Sequence, residues 1–310
     1  MNLNEPLKLY GFDNELFEFV NFYKRKKLPN KILISGKKGI GKYTLAYHFI
    51  NFILSEEDEE MYDLDHCQIN INSKSYNLLK NNVHPNFYKI SKLNDKKNIE
   101  ISQIRELKKF INKSSFNNKL KIVLIDDVEC LSNSAANSLL KLIEEPNSNV
   151  QFVLIYDNSK YLLDTIKSRC IEFKIKFKDV FIEDIVDQFY KKKIFHEIDN
   201  DFKGKYFTPK NFINLIEFCY INKIELKSLR LKNLIDFIFK NKLYRNKSFQ
   251  LEELKLYMEI YLLSNQRSSN DKFFLEKVYI LNKKFSNLVK YNLDTETFFL
   301  EFNSNFNYEW

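Results

Sequence analysis

Gly36, Gly39, Gly41 and Lys42, in the run SGKKGIGKYTLAY at 35–47, have the types and spacing that hold a phosphate. In a G-x-x-x-x-G-K core, successive backbone N–H groups converge on an anion at a helix start, and the lysine reaches the terminal phosphates of a nucleotide. Three of the five glycines in the chain fall within these six residues, so their placement is specific and not compositional. The next position ordinarily carries a Ser or Thr whose short hydroxyl holds magnesium; here it is Tyr43, whose phenol does not fit that reach. Thr44 comes one residue later, about a quarter turn round a helix, and replaces that hydroxyl only after a local shift.

A second chemical signal ends the run KIVLI with Asp126 and Asp127. Two carboxylates at a strand end suit a nucleotide site, the first to hold magnesium and the second to polarise an attacking water. They also suit the cap of a following helix. Asp127 is one methylene shorter than the glutamate that efficient hydrolysers of this kind carry, and a misplacement of about 1 Å costs on the order of a hundredfold in rate.

The elements that must position these residues are legible from periodicity. Residues 12–26 and TLAYHFINFIL read as helices, with the buried strand KILIS and the glycine loop between them. The acidic run SEEDEEMYDLD (55–65) reads as a solvated loop. NFYKI (86–90), KIVLI (121–125) and QFVLIY read as strands, and 101–113, 132–145 ending at Pro146, and YLLDTIKS as helices. Alternating strand and helix to residue 175 predicts an α/β module with a parallel sheet sandwiched by helices. Beyond about 179 only amphipathic helical patterns remain, giving expected domains of 1–175, 176–221 and 222–310.

The net charge of +8 permits a polyanionic partner without requiring one. Four cysteines without CxxC spacing (Cys67, Cys130, Cys170, Cys219) argue against a disulfide framework or a zinc ribbon and fit a reducing cytosol. The first residues lack an export pattern, and no uncharged stretch approaches a membrane span. The expectation is a cytoplasmic protein without a membrane anchor.

The run KIVLIDDVECLSNSAANSLLKLIEEP, followed by the S-R-C at 168–170, resembles the clamp-loader branch of the AAA+ proteins. GIGKYTLAY and HPNFY (84–88) agree, and within that branch the chain is similar to the delta prime subunits of bacterial DNA polymerase III. The similarity is strong over 8–175 and thin afterwards. It implies an AAA+ P-loop module followed by a small helical lid domain and a C-terminal all-α collar domain. It also implies a heteropentamer with gamma/tau-type motor subunits and a clamp-opening delta subunit, which loads a sliding clamp onto primed DNA. By position, Arg169 of S-R-C is then an arginine finger that reaches a neighbour's nucleotide in trans.

The resemblance also exposes departures. Besides Tyr43 and Asp127, Tyr156 or Asp157 stands where motor members place a small polar sensor, and Lys210 or Asn211 stands where they place an arginine. Together these imply a subunit that does not hydrolyse ATP, although Gly36, Gly39, Gly41, Lys42, Tyr43 and Thr44 still offer a site for ATP or ADP. His66, Cys67 and His84 lack the family's zinc spacing, so no metal is expected.

Ser132, Asn133 and Ser134 suit either contacts to a DNA backbone or a helix cap. Lys37 and Lys38 suit either solvent or a neighbouring subunit. The stretch 223–247 has eight Lys or Arg against Glu225 and Asp236, among apolar residues. It reads as a helix whose apolar stripe packs into a collar, ahead of a nucleic-acid patch. Two other readings are an active AAA+ motor and a small-molecule kinase, the second lacking recognisable lid arginines.

Overall fold

Central strands of a parallel sheet are covered on both faces and therefore read as unbroken apolar runs. Strands β1 (Lys31–Gly36), β3 (Lys121–Ile125) and β4 (Val150–Asp157) are such runs, and every residue of β3 and β4 is buried. The structure, a computed structural model, describes residues 7–93, 96–113, 119–145, 149–204, 207–245, 251–264, 272–291 and 293–306. With β2 (Phe87–Ile90) and β5 (Ile171–Lys174), these strands form a five-stranded sheet in the order β2-β3-β4-β1-β5. All four pairings are parallel, with Gly36 level with Asp157 and Ile90 level with Ile125.

Because side chains alternate across a strand, each strand feeds two cores. Ile32, Ile34, Ile122, Leu124, Val153 and Ile155 pack on one face with residues of α1 (Asp13–Lys24) and α2 (Lys42–Leu54). Leu33, Val123, Ile125, Phe152 and Leu154 pack on the other, with residues of α4 (Ile101–Asn112) and α5 (Asn133–Glu144). The result is the three-layer P-loop module that the sequence predicts. Glu100 and Gln103 start α4 with a reciprocal capping box, which satisfies backbone donors that a helix start otherwise leaves open.

Three elements differ from expectation. YLLDTIKS is helical only over α6 (Asp164–Lys167), because Leu163 adopts an extended backbone at its start. Helix α3 (Lys74–Lys80) appears where no element was expected, begun by the Ser73 hydroxyl accepting from Tyr76 N–H. Strand β5 lies at the sheet edge, so its residues are mostly exposed and lack the apolar signature of the centre. Pro146 lies outside the described residues.

The chain divides into two compact units, Met1–Ile185 and Val186–Trp310, with the division inside α7 (Ile182–Tyr190). The described part of the second unit has helices and short 3-10 turns and no strand. Its helices are α8 (Pro209–Asn222), α9 (Leu231–Lys240), α10 (Leu251–Ser264), α11 (Lys272–Tyr291) and α12 (Thr295–Phe306). Aromatic contacts among Phe202, Phe207, Phe212 and Tyr257 fill part of its core. The stripe of α9 is buried at Leu231, Leu234, Ile235, Ile238 and Phe239, and Phe237 meets Phe218 of α8 edge-on. This corrects the reading of that stripe as a collar contact: its apolar residues are covered within their own chain. No described helix is long and apolar enough to cross a membrane.

Candidate phosphate site

The loop between β1 and α2 has the backbone that its glycines allow. Gly39 and Gly41 have φ of 82° and 103°, a region side chains disfavour, and Gly41 is the N-cap of α2. At Gly36 the constraint is space, since a Cβ would stand 2.6 Å from the Ile175 carbonyl oxygen. No side chain caps α2, so its first N–H groups are turned to the loop as an anion cradle. This backbone fits a phosphate.

Lys42 opens α2 and is only 6% exposed. Its ammonium donates to the Gly36 and Lys37 carbonyls, both at 2.7 Å, which holds the side chain across the loop. Burial lowers its pKa, while the carboxylates of Asp157, Glu129, Asp126 and Asp127 act in the opposite direction. The fold therefore brings the predicted lysine and acidic pair into one electrostatic site. Lys37 and Lys38 are exposed.

Asp126 leaves β3 on the same face as Ile122 and Leu124, the face packed by α2. Burial raises its pKa to about 6, helped by the Asp127 charge and opposed by that of Lys89. Asp127 has φ 52°, donates its N–H to Asp126 Oδ1 at 3.0 Å, and begins a 3-10 turn at Val128–Cys130. That turn carries in Glu129, a residue the sequence reading passed over, whose side chain is 1% exposed. Glu129 Oε2 accepts from Asp157 N–H at 3.2 Å. Its other oxygen has no hydrogen-bond partner and lies 3.9 Å from the Lys160 ammonium. Burial raises the pKa of Glu129 as well. The clue in the sequence was a third acid within four residues.

The two sensor candidates at the end of β4 are engaged locally. Asp157, 4% exposed, accepts from Ser159 N–H and Oγ at 3.1 and 2.8 Å, while the Tyr156 hydroxyl donates to the Lys160 carbonyl at 2.6 Å. Asn211 forms a capping box with Thr208 at the start of α8, and Lys210 is exposed.

Tyr43 is half-buried on the first turn of α2 and stacks on Tyr47. Its hydroxyl accepts from the Lys89 ammonium at 2.7 Å, and that nitrogen lies 4.5 Å from the ring centroid. Where a magnesium ligand belongs, the chain thus has an oxygen already bonded to a cation. A dication and an ammonium about 4 Å apart repel by about 8 kcal/mol at an effective dielectric of about 20. The donor set does not fit magnesium. Thr44 is half-buried beside Tyr43.

Arg169 sits apart from the phosphate loop, after α6. Its Nε and Nη2 engage Glu144 Oε1 at 2.7 and 2.6 Å, and Nη1 donates to the Thr165 carbonyl at 2.9 Å. Its side chain is 37% exposed. At α5, the Ser132 hydroxyl accepts from Ala135 N–H at 3.2 Å, so it serves as the cap, and Asn133 and Ser134 are exposed. His66 pairs with Asp63 at 2.8 Å, while burial pushes the Cys67 thiol up to about 12 and His84 down to about 4. Among the described residues no group of three His, Cys, Asp or Glu could hold a metal ion.

Residues 13–179 match the protein family described as DNA polymerase III, delta subunit. The chain is 32% identical over 148 residues to the DNA polymerase III subunit delta' of Pseudomonas aeruginosa, covering 48% of this chain and 43% of the relative. It is likewise 32% identical over 151 residues to the subunit delta' of Bacillus subtilis, covering 48% and 43%. The DNA polymerase III subunit gamma of Buchnera aphidicola is 27% identical over 170 residues, covering 52% of this chain and 43% of that one. The matches thus span less than half the length of these relatives.

Proposed function

From membership of the DNA polymerase III delta subunit family, to which this chain belongs, we propose that it is a delta prime-like clamp-loader subunit that does not itself hydrolyse ATP. In this reading the first unit is a rigid scaffold in a heteropentamer with gamma/tau-type motors and a clamp-opening delta subunit. It works in the cytoplasm, and the assembly loads a sliding clamp onto primed DNA. The three-part division at 175/176 and 221/222 belongs to the same reading, with a lid and a collar domain after the P-loop module.

The observation that carries the loss of hydrolysis is Tyr43, with its hydroxyl taken by Lys89 at 2.7 Å. Without a metal at that point, the γ-phosphate of ATP lacks the charge neutralisation on which phosphoryl transfer relies. Lys42 and the glycine loop retain the means to grip ATP or ADP. The cation the chain offers to catalysis is instead Arg169, which projects at the surface and exchanges Glu144 for a neighbour's phosphoryl oxygens on assembly.

The purified chain, incubated with magnesium and ATP, tests this reading. No turnover above a Lys42→Ala control is expected. Turnover that disappears in Lys42→Ala identifies the chain as a motor and overturns the proposal. A pull-down from native lysate tests the assembly, with the motor and clamp-opening subunits as the expected catch.

A further inference from the structure

Lys89 was not singled out by its sequence context, yet the fold sets its ammonium against Tyr43, on the first turn of α2. It lies on β2, two residues after Phe87, whose side chain packs into the core shared with α2. By strand alternation Lys89 faces that same side, and so does Asp126, two residues beyond Leu124 on the adjoining strand β3. Tyr43, on the first turn of α2, completes the arrangement by accepting from the Lys89 ammonium at 2.7 Å. The ammonium lies 4.5 Å from the Tyr43 ring centroid, at the hydroxyl end of the ring, so the phenol holds it by its oxygen.

We propose that Lys89 supplies from within the chain the positive charge a divalent ion supplies in a working phosphate site, so that this site takes a nucleoside polyphosphate without metal. The anchoring is specific. The phenol meets the ammonium that Lys89 extends from β2 and fixes its nitrogen. Tyr43 is therefore a positioning residue for the lysine. Lys42 holds one side of the loop through the Gly36 and Lys37 carbonyls, and Lys89 supplies a second cation from the acidic side, near Asp126. A polyphosphate entering the cradle meets two ammonium groups and uncapped helix N–H groups, which offset the neighbouring Asp126, Asp127, Glu129 and Asp157 carboxylates as well as its own charge.

The inference rests on the non-hydrolysing reading, but the two fail separately. Turnover of magnesium ATP by the purified chain overturns the earlier reading, whereas the present one is decided by how ADP binding depends on magnesium.

Calorimetric titration of the full chain with ADP, in EDTA and then in excess magnesium, is the test. The wild-type dissociation constants are expected to agree within about twofold, and Lys89→Gln to weaken binding in EDTA about tenfold, as loss of one charge-assisted contact does. Tyr43→Phe keeps the ring and its packing and guards against a misfolded Lys89 variant. It is expected to weaken binding in EDTA about threefold by loosening the lysine. Wild-type binding tightened about tenfold or more by magnesium overturns the proposal. So does a wild-type chain that binds no ADP in EDTA at millimolar concentration, or variants that bind as the wild type does.

Discussion

Arg169 and Glu144 are joined by two guanidinium contacts to a single carboxylate oxygen, Oε1, at 2.7 and 2.6 Å. Both side chains are substantially exposed, so the pair lies in water and contributes little to the fold. Exposed ion pairs are worth about 0–1 kcal/mol. Arg169→Ala is therefore expected to change the unfolding free energy of the isolated chain by less than about 1 kcal/mol in a urea titration. A larger loss would mean that the arginine is structural, and the trans role would lose its basis.

Gly36 is under a harder constraint. An alanine there puts its Cβ 2.6 Å from the Ile175 backbone oxygen, and Ile175 N–H is itself tied to the Ser35 carbonyl at 2.7 Å. The neighbour is backbone and cannot rotate away. Gly36→Ala is expected to cost about 2–3 kcal/mol, the scale of overpacking in a filled core. Denaturant unfolding reads it, and an unchanged midpoint would contradict the close approach of the Ile175 carbonyl to Gly36.

Asp126 is an acid held partly against its preference. Its folded pKa of about 6 lies above the ordinary value of 3.8, so the folded state binds more protons between those values. Stability from this group accordingly falls as pH rises through that window, and the penalty is complete above about 6. Asp126→Asn, which keeps an oxygen for the Asp127 N–H, is expected to stabilise the chain at pH 7.5 by up to about 3 kcal/mol. The gain should fade as the pH falls from about 6 and be gone below the unfolded value of 3.8. A variant that is equally or less stable at pH 7.5 would contradict the burial argument.

The parts of this protein legible in its sequence are those whose physics is local or repetitive. KIVLI and QFVLIY announce central strands because both faces are covered, and the glycine spacing announces the loop because only that backbone needs it. Strand β5 escaped because its edge position leaves IEFK mostly exposed, and α3 because seven residues give too short a helical pattern. The site was legible as far as Lys42, Asp126 and Tyr43. Lys89 was not, since it meets Tyr43 across 46 residues and only the pairing of β2 with β3 sets it beside Asp126. Glu129 was visible as a residue but not as a participant, because the left-handed backbone of Asp127 decides where the turn carries it. The apolar stripe of α9 was read correctly as amphipathic, yet sequence pattern does not say whether its own chain or another covers it.

The central claim is a division of labour, with no hydrolysis in this chain's own site and an arginine given to the next. The most direct test is the DNA-stimulated ATPase rate of the clamp loader reconstituted with Arg169→Ala, alongside the wild-type assembly. A fall of about a thousandfold per dependent site is predicted, the scale of an arginine finger, with the complex still assembled by size-exclusion chromatography. An intact complex that hydrolyses ATP at the wild-type rate would contradict the account.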